Sequence, residues 1–231
     1  MKPWLMELLA CPIDKHYPLH VIIFEIENSS EITDILKDQR RMSKDLSFFL
    51  MNMEDRLDGD FDDEEKHEIP AIVNSYMDGG VLQVQDTLSI KPLPINEYLD
   101  LITGSIRELE PLENKSHAVI TTTMNQLSDL GTKIQEYLND MGDKGETKQH
   151  EGFIDSIKDD LVLLNWFKQV FEIQTGIMQC PECNRWYPIR KTIPQMLPDS
   201  LRKRDEEIAF LETWSDYLDD SYLNEGLPYH L

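Results

Sequence analysis

The chain has 231 residues, enough for one large domain or two small ones, and a hydrophobic fraction of 40% supports a packed core. Forty-four acidic residues against twenty-two basic ones give a formal net charge of −22, which repels phosphate backbones and argues against autonomous tRNA or DNA binding. A basic partner suits that charge, and plain solubility or a salty cytoplasm accounts for it as simply.

No apolar run reaches the roughly eighteen residues of a membrane span. The opening Met1-Lys2-Pro3-Trp4-Leu5-Met6-Glu7 lacks the long apolar stretch and small-residue cleavage site of a secretory signal. Three cysteines, an odd number, then argue against a disulfide framework, and a cytoplasmic protein is expected.

In chain order, Cys11 comes first, followed by Pro12. Leu19 to Glu27 is a β-branched run and predicts a strand. Glu31 to Met53 carries Ile32, Ile35, Leu36, Met42, Leu46, Phe49 and Leu50, mostly at helical spacing. The acidic stretch Asp58 to Glu65 reads as a solvated loop or a helix start, and Glu68 to Tyr76 as a short helix. Val81 to Ile90 reads as an isolated strand or the start of a loop ended by Lys91-Pro92-Leu93-Pro94. Ile95 to Leu109 predicts a helix stopped by Pro111, and Ser116 to Met141 another, broken by Gly142-Asp143-Lys144-Gly145. Gly152 to Val170 closes the helical middle.

Strands are expected again at Phe171 to Gln179 and Trp186 to Arg190, on either side of Cys180-Pro181-Glu182-Cys183. Asp199 is placed to cap a helix from Ser200 to about Asp219, whose stripe is Ile208, Leu211, Trp214 and Leu218. Between residues 28 and 170 there are 29 acids and 14 bases, so most of the net charge lies there. Arg185 to Arg204 is the one basic island, with six cations and a single acid, Asp199.

The cysteines organise the rest. Cys180 and Cys183 form a Cys-x-x-Cys knuckle, and Cys11-Pro12 mirrors Cys180-Pro181. A structural zinc site needs four ligands, so both chain ends feeding one site would make everything between them an insertion. The fourth ligand is open between Asp14, which holds the second place of a Cys-x-x-Cys pattern begun at Cys11, and His16, which offers a nitrogen. Such an ion would be structural, because a fully ligated zinc has no place for substrate water. A thiol oxidoreductase fits less well, since reactive dithiols sit at helix N-termini and here an aromatic strand follows. A zinc-ribbon nucleic-acid-binding protein is the stronger alternative, with only Arg185 to Arg204 to supply its basic face. There is no phosphate loop, no Gly-x-Gly-x-x-Gly and no His-Glu-x-x-His motif.

Met6-Glu7-Leu8-Leu9-Ala10-Cys11-Pro12, Pro18-Leu19, Cys180-Pro181-Glu182-Cys183, Trp186-Tyr187-Pro188-Ile189 and Ile193-Pro194-Gln195-Met196-Leu197-Pro198-Asp199 together resemble the Trm-one-twelve family, the small zinc-binding activator subunits of methyltransferases. The resemblance covers about residues 1–27 and 171–201, and longer members also carry an insertion between the two halves. It implies a non-catalytic subunit that forms a heterodimer with S-adenosylmethionine-dependent methyltransferases of tRNA, rRNA or translation release factors. S-adenosylmethionine would then belong to the partner alone. Zinc in the family is structural, and some members lack it; Asp14 stands where a four-cysteine member has cysteine.

By analogy the partner surface lies beside the knuckle. Leu8, Leu9, Trp186, Tyr187, Pro188, Ile189, Ile193, Pro194 and Met196 are its candidates, acting through an exposed strand edge and an apolar patch. The basic island would extend a partner's positive surface or pair internally with the acidic insertion or tail; the net charge favours pairing. The expected fold is α+β. Residues 1–27 and 171–231 form a small antiparallel sheet with a zinc knuckle and a C-terminal helix, and residues 28–170 form an inserted, acidic, mainly helical domain.

Overall fold

The computed structural model describes residues 1–54, 73–89, 91–140 and 147–231. The acidic stretch Asp58 to Glu65, the first part of Glu68 to Tyr76 and the Gly142-Asp143-Lys144-Gly145 breaker lie outside the described residues.

In chain order, a 3-10 helix at Pro3–Leu8 leads to β1 (His20–Ile26), α1 (Ser29–Ile35) and α2 (Gln39–Glu54). Then come β2 (Val73–Asp78), β3 (Val81–Asp86), β4 (Leu93–Pro94), α3 (Ile95–Arg107), β5 (Leu112–Asn114), α4 (Ala118–Asp140) and α5 (Thr147–Gln169). The chain closes with β6 (Ile173–Gln179), β7 (Trp186–Arg190), β8 (Ile193–Pro194), α6 (Arg204–Trp214) and the single turn α7 (Asp220–Leu223). The architecture is α+β. No described helix is long and apolar enough to cross a membrane.

Two compact units emerge. The first holds Met1–Ser30, Glu108–Thr121 and Phe171–Leu231; the second holds Glu31–Arg107 and Thr122–Val170. Residues 108–121, inside the span read above as insertion, thus lie with the two chain ends.

The first unit is a five-stranded sheet in the order β5-β1-β6-β7-β8. It is mixed rather than antiparallel throughout: β5 runs parallel to β1, pairing Leu112 with Val21. The β1–β6 pair is antiparallel and carries a bulge around Glu25. Gly176 of β6 is required there, because a Cβ would stand 2.5 Å from the Ile22 carbonyl oxygen. Ile22, Phe24, Ile177 and Trp186 on the sheet pack against Phe210, Leu211, Leu218 and Tyr222 of the C-terminal segment.

That C-terminal segment departs from the single helix expected. Asp199 does not cap a long helix; it starts a 3-10 turn at Asp199–Leu201, and its carboxylate accepts hydrogen bonds from Arg185 instead. The charge-assisted pair outcompetes a solvent-facing cap. α6 ends at Trp214, and α7 has its own cap, Asp219, which accepts from the Ser221 N–H.

The second unit packs α2, α3, α4 and α5 with the small sheet β2-β3-β4. On α3, Ile95, Tyr98, Leu99 and Ile102 are buried at the three-and-four spacing of an amphipathic helix. Asp86, at the end of β3, is fully buried and satisfied: it accepts from Tyr98 Oη (2.7 Å), Asn165 Nδ2 (2.8 Å) and the N–H groups of Leu88 and Ser89. The run read as a helix ending at Tyr76 is a strand from Val73. Gly79 and Gly80, both with positive φ, turn β2 directly into β3, and cross-strand pairing overrides the local helical pattern.

Candidate metal centre and partner surface

The loop after the 3-10 helix and the loop joining β6 to β7 fold alike. In the first, the Cys11 N–H donates to the His16 carbonyl, the Lys15 N–H donates to the Cys11 carbonyl, and Lys15 has φ 64°. In the second, the Cys180 N–H donates to the Arg185 carbonyl, the Asn184 N–H donates to the Cys180 carbonyl, and Asn184 has φ 53°. The equivalence runs through the side chains too: the His16 N–H donates to Asp14 Oδ1 (3.0 Å), as the Arg185 N–H donates to the Cys183 sulfur. Asp14 therefore occupies the structural place of Cys183.

These loops bring Cys11, Asp14, Cys180 and Cys183 together, with one ligand atom from each within 4.8 Å of the others. Cys11 Sγ lies 3.7 Å from Cys183 Sγ, and Cys180 Sγ lies 3.3 Å from Asp14 Oδ2. Tetrahedral zinc, with bonds of about 2.3 Å to sulfur and 2.1 Å to oxygen, sets sulfurs about 3.8 Å apart and sulfur and oxygen about 3.6 Å apart. Three thiolates and a carboxylate at this spacing fit the ion. His16 is not among the four. Its backbone closes the first loop, and its ring lies 3.9 Å from a Glu182 carboxylate oxygen.

The three cysteines are free thiols, and Cys11 and Cys180 are buried. Burial pushes the Cys180 thiol up to about 12 and also raises Cys183. The Asp14 carboxyl is held below the usual carboxylate range, first by the His16 N–H and then by Cys183. Burial raises the Tyr187 hydroxyl, which lies 3.3 Å from Cys11 Sγ, and that contact raises it further.

The apolar candidates divide by burial. Trp186, Tyr187, Pro188 and Ile189 are buried in the inner strand β7, Trp186 against the C-terminal segment and Tyr187 against Cys11. Leu8 is 71% exposed and Ile193 is 63% exposed, while Leu9, Pro194 and Met196 are half-buried. Ile193, Pro194 and Met196 line a groove of about 450 Å³ together with Leu197 and Leu201. Leu197, within the run Ile193 to Asp199, and Leu201 are exposed and apolar and extend that surface beyond the residues expected from sequence.

The basic island is largely spent within its own unit. Arg185 pairs with Asp199 (3.1 Å), Arg202 with Glu207 (2.7 Å) and Lys203 with Glu206 (2.8 Å), and Arg190 donates to Gln195 and to the Glu206 carbonyl. This leaves little for a continuous phosphate-binding face.

A protein-family model described as Trm112p-like protein matches residues 2–191. The chain belongs to the Trm112p-like family. No curated protein and no solved structure matches it. The matched span runs from before the first knuckle to the end of β7, so it takes in the three cysteines, Asp14 and the whole of the second unit.

Proposed function

We propose that this protein is a non-catalytic activating and stabilising subunit of S-adenosylmethionine-dependent methyltransferases that act on tRNA, rRNA or translation factors, working as a heterodimer in the cytoplasm. The match to the Trm112p-like family over residues 2–191 carries this reading. The chemistry of the knuckles agrees with it. Cys11, Asp14, Cys180 and Cys183 would hold one zinc ion, which supplies a crosslink between the two loops and no reactive position. S-adenosylmethionine and the catalytic groups then belong to the partner.

In this account the two chain ends and residues 108–121 build a rigid platform, and the inserted unit is a separate module. Leu8, Leu9, Ile193, Pro194 and Met196 make the partner surface, and β8 is the strand at the sheet edge. Trp186, Tyr187, Pro188 and Ile189 support that surface from inside. Covering an apolar patch on a methyltransferase would keep the enzyme soluble. The test is a pair of charge insertions, Leu8→Asp and Ile193→Asp. Both positions are exposed, so the unfolding midpoint should stay within about 0.5 kcal/mol of the parent, while the co-purified methyltransferase is lost. Full retention of the enzyme would overturn the assigned surface.

A further inference from the structure

Successive side chains of β7 alternate between the two faces of the sheet. Trp186 turns toward the C-terminal segment, and Tyr187 turns the other way. Tyr187 is 1% exposed, and its place is fixed by antiparallel pairing with Met178 of β6. Its hydroxyl lies 3.3 Å from Cys11 Sγ. The four candidate ligands come from the two knuckle loops, and Tyr187 reaches one of them from outside both.

The charge of the centre gives that contact its meaning. Three thiolates and a carboxylate carry four negative charges against the two positive charges of zinc. Cys11 and Cys180 are buried, so protein donors must balance the excess. Asp14 accepts from the His16 N–H at 3.0 Å. For Cys11 the donor is Tyr187. A thiolate bound to metal carries no proton and can only accept, so the direction of the bond is settled: the phenol donates and the sulfur accepts. A hydrogen bond to an ionised acceptor is about twice as strong as one between neutral groups.

We propose, resting on the four-ligand site put forward above, that Tyr187 is a positioning residue of the metal centre, donating its hydroxyl hydrogen to the metal-bound Cys11 thiolate. The bond orients the Cys11 sulfur toward the ion and withdraws charge from it. It also ties the two chain ends together a second time, across 176 residues. Phenylalanine would fill the same space and leave the sulfur without that donor, whereas a ring that merely packs would serve as well without its hydroxyl.

The test uses the full chain loaded with cobalt(II), which takes the same tetrahedral ligands as zinc and absorbs visible light. In Tyr187→Phe the thiolate-to-cobalt charge-transfer band should move to longer wavelength, because a sulfur lone pair without its donor rises in energy. The visible bands that report four tetrahedral ligands should stay in place. The zinc dissociation constant, from competition with a chelator, should rise about tenfold. Tyr222→Phe removes an equally buried hydroxyl on the opposite face, bonded to His20 at 2.9 Å. It should leave the band unmoved and change zinc binding less than twofold. A second measurement needs no variant: with spin-active cadmium in the parent, the Tyr187 hydroxyl proton, assigned through its ring carbons, should be protected from exchange and coupled to the metal. An unmoved band in folded Tyr187→Phe, equal shifts in both tyrosine variants, or a Tyr187 hydroxyl proton with neither protection nor coupling would each overturn the proposal and leave the ligand set standing. A parent that binds no cobalt would overturn both.

Discussion

Removing the Glu207 carboxylate exposes the energetics of the first unit most clearly. Arg202 and Glu207 form an ion pair at 2.7 Å with side chains only 1% and 5% exposed. The guanidinium also donates to the Trp186 carbonyl (2.7 Å) and lies 4.5 Å from the Trp186 ring centroid. Glu207→Ala strands a buried cation with one carbonyl and the Trp186 and Tyr187 rings. Breaking a buried pair from one side costs about 3–5 kcal/mol. For a unit of roughly a hundred residues, each kcal/mol lowers the melting temperature by about 4 °C, so a drop of about 12–20 °C is expected. Replacing both partners, Arg202→Met with Glu207→Leu, removes the stranded charge and should recover most of the loss. Arg202 Nε is already enclosed without a partner, so the native pair is imperfectly satisfied and the apolar replacement starts with an advantage. Urea unfolding followed by near-ultraviolet circular dichroism, which reports the buried Trp186, provides the readout. A loss below about 1 kcal/mol for Glu207→Ala, or no recovery in the double variant, would refute the reasoning.

Further predictions concern the metal, the histidines and a glycine. Protein purified without chelator should hold about one zinc per chain, lost in Cys180→Ser with Cys183→Ser and weakened in Asp14→Asn, while His16→Ala keeps it; elemental analysis decides each case. Burial lowers the pKa of His20 and His117 below the ordinary histidine value. The unfolded chain then binds more protons as the pH falls below about 6.5, so their contribution to stability is complete above that pH and lost as the pH falls through the folded-state values. Urea midpoints between pH 7 and pH 5 should fall less steeply in His20→Gln with His117→Asn than in the parent. Gly176→Ala should cost about 1–3 kcal/mol in the same assay, because its methyl group would press on the Ile22 carbonyl across the strand pair.

The parts of the fold legible in the sequence are those with long, one-sided patterns. β1, β6 and β7 stand out as β-branched or aromatic runs, and α3, α4 and α5 as apolar stripes longer than a strand. β5 was hidden: three residues after Pro111 say nothing of a parallel pairing to β1, which only the tertiary fold supplies. β2 was missed although Asp78-Gly79-Gly80-Val81 carries a hairpin signal, because the preceding residues share a helical pattern. At the knuckles, the spacing of Asp14 from Cys11 matches the cluster that the structure brings together, and His16 lies outside that cluster. Its position matches Arg185, whose place in the turn is taken by a backbone group. The motif Trp186-Tyr187-Pro188-Ile189 reads as a surface, yet its strand lies inside the sheet, with Trp186 under the C-terminal segment and Tyr187, on the other face, against Cys11. The covering of Trp186 depends on Phe210, Leu211 and Tyr222, some twenty-five to thirty-five residues further along the chain.

The central claim is a methyltransferase partner. Affinity purification of the tagged protein from its native cell at moderate salt, with quantitative mass spectrometry of the retained proteins, tests it most directly. The account predicts one or more S-adenosylmethionine-dependent methyltransferases at near-equal amounts to the bait. Retention of nucleic acid, or of no methyltransferase in a preparation that keeps its zinc and its fold, would contradict it.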